Sequence, residues 1–317
     1  MKKVIVNKAS RRHTNRMVLV IPVLAILILI SIVNAAKFTD QINPPNPSTN
    51  WYNKGNALCQ SGKFDEGIKA YEKAIETNPQ YYDAWYNKGN ALGDSGKHDE
   101  AIKAYDKAIE INPQALYAWF QKGVYLSKLG KFDEAIKAYD KAIEINPQYY
   151  DAWYNKGTAL TSLDKSDEAI KAYNKAIEIN PKDANAWFQK GISLSKLGKF
   201  DEAIKAFDRA IEINPKDANA WINKGAALAN LGKSDEAIRA YDKAIKIDPR
   251  NSDAWFQKGV SLNKIGESDE ATKAYDKAIE INPQNSMAWI SKGATLWKLG
   301  KSDEAIKAYD KAIEFNQ

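Results

Sequence analysis

Three observations predict an all-α chain built from eight stacked helix hairpins. Trp51, Trp85, Trp119, Trp153, Trp187, Trp221, Trp255 and Trp289 stand 34 residues apart without drift. Within each period, apolar and small side chains recur at i, i+4 and i+7, the spacing of one helix face. Glycine and proline punctuate fixed places where helices must stop. With tryptophan at position 4 of the period, the first repeat starts at Ser48.

The first helix of each repeat carries tryptophan at 4, glycine at 8 (Gly55 to Gly293) and leucine at 11 (Leu58 to Leu296) on one face. Glycine at position 15 ends it, with Asp164 in its place in the fourth repeat. Asp-Glu at positions 18 and 19 opens the second helix, where carboxylates favour the positive end of the dipole. Alanine at 20 (Gly67 is the exception), an aromatic at 24 and alanine at 27 continue the apolar face. Proline at 32 stops the helix in seven repeats, and Gln317 occupies that place in the last. Small residues at 8, 20 and 27 admit close helix approach, and the aromatic at 24 fills the gap. Each hairpin presents more apolar surface than it can bury alone, so stacking on neighbours must bury it.

The segment before the repeats reads differently. Residues 1–16 form a basic leader with Lys2, Lys3, Lys8, Arg11, Arg12 and Arg16, and no acidic residue precedes Asp40. Met17 to Val33 is uncharged, and as a helix its 17 residues span about 25 Å against a hydrocarbon core of roughly 30 Å. Two readings of 17–36 stay open: an uncleaved transmembrane helix, or a signal peptide cut near Ala35 or Ala36. Both place the body outside the cytoplasm, because the positive charges stay inside. The first gives a single-pass membrane protein and the second a secreted one. Residues 37–47, KFTDQINPPNP, read as a proline-rich extended stalk, and 48–317 hold the eight repeats.

Composition excludes several classes. The chain has a formal charge of +6, and removing the six leader cations leaves 40 basic against 40 acidic side chains. A neutral body argues against a nucleic-acid partner. One cysteine and two histidines leave no metal cluster or nucleophilic triad, and no cofactor motif is present. The adjacent Asp-Glu pairs point about 100° apart around the helix, so they form no acid/base dyad. Asp133 with Lys137 illustrates an i,i+4 pair giving small helix support. His98 reads as a turn residue. The expectation is a protein that is not an enzyme and binds no cofactor.

Tryptophan at position 4, glycine at 8, alanine at 20, tyrosine or phenylalanine at 24, alanine at 27 and proline at 32, all at a 34-residue period, resemble the tetratricopeptide repeat family over residues 48–317. Lysine at position 7 (Lys54 to Lys292) departs from the family's leucine, and leucine at 11 from its tyrosine. The lysine stem is expected along the apolar seam with its ammonium in water. The resemblance implies a right-handed superhelical solenoid whose first helices line a concave, peptide-binding groove. Positions 2, 5, 6, 9 and 13 would then face the ligand. Position 5 gives Tyr52, Tyr86, Phe120, Tyr154, Phe188, Ile222 and Phe256. Position 6 gives Asn53, Asn87, Gln121, Asn155, Gln189, Asn223 and Gln257, with Asn56 and Asn90 at position 9. A carboxamide donates and accepts as a peptide bond does, so such a row can hold an extended segment of a partner protein. The family's carboxylate clamp is not expected, since no Lys or Arg occurs at positions 2 or 6. The repeats alternate in pairs, with Trp-Phe-Gln-Lys-Gly in the third, fifth and seventh.

The resemblance implies a scaffold for proteins or peptide segments, tethered to the membrane through residues 17–33. Two alternatives stay open: a structural self-associating protein, or an accessory subunit that presents substrates to a separate enzyme. Self-association is expected through the last repeat, where Trp297, Ala305, Tyr309, Ala312 and Phe315 would lack a following hairpin.

Overall fold

The computed structural model describes residues 46–315. The leader (1–16), the apolar segment (17–36), the stalk up to residue 45 and the last two residues lie outside the described residues. No helix among the described residues is long and apolar enough to cross a membrane. The described residues are all helical, as the periodicity predicts, with sixteen helices, two per period. In order they are α1 (Pro47–Gln60), α2 (Phe64–Thr77), α3 (Tyr82–Asp94), α4 (His98–Ile111), α5 (Leu116–Lys128), α6 (Phe132–Ile145), α7 (Tyr150–Ser162) and α8 (Ser166–Ile179). There follow α9 (Ala184–Lys196), α10 (Phe200–Ile213), α11 (Ala218–Asn230), α12 (Ser234–Ile247), α13 (Ser252–Lys264), α14 (Ser268–Ile281), α15 (Ser286–Lys298) and α16 (Ser302–Glu314).

The described residues divide into two units, 46–97 and 98–315. In the first, α1 pairs with α2, and α3 packs on both. In the second, each helix packs on its successor, and the first helices of adjacent repeats also touch.

Pro47 corrects the stalk boundary. It is the first helical residue of α1, where its missing N–H costs nothing, and Asn46 caps the helix by accepting from the Ser48 N–H at 3.1 Å. Later first helices gain caps from Asp183, Asp217, Asn251 and Asn285. The second helices follow Lys63, Lys131, Lys165, Lys199, Lys233 and Lys301, which offer no capping oxygen. Their Asp-Glu pairs sit in the first turn, as expected, and compensate the exposed N–H groups.

The turn between helices is a left-handed cap. Gly130 has φ 74°, and the Lys131 N–H reaches back to the Leu126 carbonyl at 2.9 Å. Asp164 adopts the same conformation at φ 56°, alone among the non-glycine described residues.

Inside each hairpin, glycine at 8 is a packing requirement. A Cβ on Gly123 would lie 2.5 Å from Tyr139 Cε1, and the same relation joins Gly191 to Phe207. Gly67 explains itself in the same way: a Cβ there would strike the Sγ of Cys59. Around the buried Tyr139 close Leu126, Ala135, Ala138 and Ala159, with Trp119, Phe120 and Ile136 at the margin.

Successive repeats are latched by the tryptophan and the lysine of the first helix. The indole Nε1 of Trp85, Trp119, Trp153, Trp187, Trp221, Trp255 and Trp289 donates to the carbonyl of the position-32 proline of the preceding repeat, at 2.9–3.4 Å. The position-7 lysine also reaches backward rather than simply into water. Lys88, Lys122, Lys156, Lys224, Lys258 and Lys292 pair with the acid at position 25 of the preceding repeat at 2.5–2.9 Å. Each ammonium also lies 5.3–5.5 Å from its own repeat's tryptophan ring. The expected Asp133–Lys137 pair is replaced by another inter-repeat bond, Lys165 to Asp133 at 3.1 Å. An extended lysine from the next turn reaches the carboxylate. His98 is the first residue of α4 rather than a turn residue, and its ring lies 5.3 Å from that of Tyr125.

Candidate functional site

The expected groove residues fall on consecutive first helices, but they are not equivalent. Position 5 is only partly available. Phe120, Tyr154, Phe188 and Phe256 are half-buried, with rings 5.9–6.0 Å from the position-24 aromatic of the same repeat. Ile222 packs at the margin of the Leu228–Ala237–Tyr241 cluster. These side chains turn one edge to the core and remain partly exposed at the other.

In the first unit the carboxamides are engaged with one another. Asn87 Nδ2 donates to Tyr52 Oη at 3.0 Å and to Asn56 Oδ1 at 3.2 Å. Tyr71 donates to the same Asn56 oxygen at 2.7 Å, and Asn90 donates to Asn87 at 3.3 Å. Tyr52 is sandwiched by Tyr71 and Tyr81, at 6.0 and 5.1 Å, and Tyr86 stacks on Tyr82 at 6.0 Å. Burial pushes the Tyr82 phenol up to about 12, with Tyr86 and Asp83 adding to the shift. Asn53 is exposed.

In the second unit the row splits by residue type. Asn155 and Asn223 turn back and donate to the carbonyls of Asp151 and Asn219 on their own helices, at 2.7 and 2.9 Å. Gln121, Gln189 and Gln257 are half-buried and make no side-chain hydrogen bond among the described residues. Their extra methylene carries the amide past the helix's own carbonyls. The pairwise alternation thus corresponds to a physical difference, which the sequence reading recorded as a pattern only. The carboxamides at 121, 189 and 257 leave donor and acceptor unengaged among the described residues.

The terminal face needs a correction. Ala305 and Ala312 are buried, at 0% and 3% exposure, within their own hairpin, although position 27 elsewhere also packs on the following one, as Ala142 does on Ala152. What a following hairpin covers elsewhere is position 28, where Ile143 is 9% exposed and Ile313 is 59% exposed. Ile306 at 53% and Trp297 at 62% complete the patch, with Tyr309 and Phe315 half-buried beside it.

A second recurrent concavity was not foreseen. It lies between tryptophan, lysine and leucine of the first helix (positions 4, 7 and 11) and the outward residues of the second. It measures ≈ 570 Å³ at Trp187, ≈ 600 Å³ at Trp255 and ≈ 610 Å³ at Trp289. No group of His, Cys, Asp and Glu among the described residues could hold a metal ion.

Two family models of the tetratricopeptide repeat match the chain, one over residues 52–115, 120–184, 188–252 and 228–286, the other over 286–317. The chain belongs to the tetratricopeptide repeat family, whose members generally act as scaffolds for proteins or peptides. No curated protein matches it. Among solved structures it is similar to YrrB, described as a TPR protein with an unusual peptide-binding site. The identity there is 31% and the TM-score 0.54, covering 59% of this chain and 96% of that one. A MamA protein is 27% identical at TM-score 0.52, covering 53% of this chain and 92% of that one. A tetratricopeptide repeat protein from Parabacteroides merdae shares the fold at 19% identity and TM-score 0.56, covering 79% of this chain and 99% of that one.

Proposed function

We propose that the chain is a non-catalytic scaffold that holds an extended segment of a partner protein along its first helices. The observation that carries this reading is the set Gln121, Gln189 and Gln257: three half-buried amides, one every second repeat, with no partner among the described residues. Each amide keeps its donor and acceptor unengaged by the protein, and a peptide backbone offers the complementary pair. Phe120, Phe188 and Phe256, adjacent in sequence to these amides, offer aromatic edges for side-chain selection. YrrB's peptide binding, in a relative of 31% identity, supports the same reading. Capture of partners by the full chain, compared with a variant carrying Gln→Ala at 121, 189 and 257, tests it. The variant is expected to lose partners that Asn53→Ala retains, and equal capture by both rejects the groove.

Residues 17–36 then tether the body outside the cytoplasm. Sequencing the mature N-terminus discriminates the two versions: a start at residue 1 supports the anchor, and a start near Ala36 or Lys37 supports secretion.

The exposed Trp297, Ile306 and Ile313 favour a second reading, self-association through the last repeat. Trp297→Lys should then lower the mass measured by light scattering at high concentration, and an unchanged mass rejects it.

A further inference from the structure

Six position-7 lysines find a carboxylate on the preceding repeat, and Lys190 does not. The difference is one residue: position 25 of the fourth repeat is Asn174, where the preceding repeats of the other six lysines carry Glu72, Asp106, Asp140, Asp208, Asp242 and Asp276. Lys190 is half-buried, lies 5.0 Å from the Trp187 ring centroid, and has no ion pair among the described residues. Burial lowers its pKa, and Glu202 opposes that shift without coming within ion-pair distance.

This ammonium opens into the ≈ 570 Å³ cavity between α9 and α10. Trp187, Leu194 and Ala206 form its apolar wall, and Lys205 adds a second cation. Glu202 also lines it without an ion pair among the described residues. The other charges are paired, Asp208 with Lys224 at 2.6 Å and Arg209 with Glu212 at 2.6 Å, so Lys190 and Lys205 against Glu202 leave an excess of one positive charge. Neither Phe188 nor Gln189 lines the cavity, so it is separate from the groove on the first helices and does not depend on it.

We propose that this cavity is a second docking site, taking an acidic side chain flanked by aliphatic residues from a partner polypeptide. The incoming carboxylate reaches Lys190 from the cavity side, since the neutral Asn174 fills the aspartate's place without supplying its charge. The aliphatic neighbours lie on Trp187 and Leu194. The occupant is set by charge complementarity: an excess ammonium, half-removed from water, over an apolar floor.

The experiment uses the full chain and an end-capped peptide, Leu-Glu-Leu-Glu-Leu, against its glutamine counterpart, titrated by calorimetry to millimolar concentration. One equivalent of the glutamate peptide is expected to bind. Asn174→Asp restores the internal pair and should weaken binding at least about tenfold, the scale of one charge-assisted bond. The substitution is structurally safe, since five neighbouring junctions carry Asp at that place; unchanged circular dichroism confirms it. Asp242→Asn frees Lys258 beside the ≈ 600 Å³ cavity at Trp255 and should raise the stoichiometry to two. Equal binding by Asn174→Asp, equal binding of the glutamine peptide, no saturable binding, or a stoichiometry unmoved in Asp242→Asn would each overturn the proposal.

Discussion

Gly123 and Tyr139 show how single residues set the geometry of a repeat. The ring occupies the volume that any Cβ at 123 would need. Gly123→Ala should therefore cost about 1–3 kcal/mol by overpacking, read as a lower denaturant midpoint with an unchanged slope. Gly130 is constrained differently, by φ 74° with nothing near its missing side chain. Gly130→Ala should cost about 1–2 kcal/mol through backbone strain alone, measured by the same unfolding curves. Asp164 shows that a short polar side chain tolerates this place, and its carboxylate also pairs with Lys196 at 2.9 Å. Most of these roles were legible in the sequence, because a glycine that recurs at one place in a period has few physical explanations. The fate of the position-6 amides was not. Asn155 and Asn223 bond their own helices, Asn87 bonds the preceding repeat, and Gln121, Gln189 and Gln257 bond neither, differences that only the three-dimensional register exposes.

At the scale of helices, the periodicity located every described element, because one apolar stripe of 3.6-residue period admits one packing face. The connections between repeats were harder to read. A tryptophan at 4 and a proline at 32 of the previous repeat look like separate core and stop signals; their hydrogen bond depends on how the loop turns. Trp153→Phe keeps the apolar ring and removes the donor to the Pro147 carbonyl, 3.0 Å away. It should cost about 1 kcal/mol in thermal or chemical unfolding. The backward reach of the lysines was invisible for the same reason: Lys156 and Asp140 are sixteen residues apart, a spacing with no meaning inside one helix. Ala305 and Ala312 stay buried without a following hairpin because an apolar stripe has two flanks, and the alanines lie close enough to their own first helix to be covered by it. Ile306 and Ile313 hold the outer flank.

For the whole molecule, repetition concentrates one chemical weakness in many copies. Burial pushes the phenols of Tyr139 and Tyr275 up to about 12, opposed by hydrogen bonds from Ser127 and Thr295. An unfolded tyrosine ionises near 10. Below that value both states keep the proton, so the contribution is complete; between about 10 and 12 the unfolded state loses it first and stability falls. Alkaline titration followed at the tyrosinate absorbance should show a steep, cooperative rise coinciding with loss of helical ellipticity. Ionisation of all sixteen phenols with the helix intact would contradict the packing described for position 24.

The neighbour dependence of the hairpins is tested most directly by excising one whole period, residues 150–183, from the full chain and following ellipticity against temperature. The junction then brings Pro147 to Trp187 with register intact, so helicity per residue should stay the same and the chain should melt in one transition at a lower midpoint. Loss of helicity per residue, or collapse into aggregate at room temperature, would contradict an array in which each repeat leans only on the next.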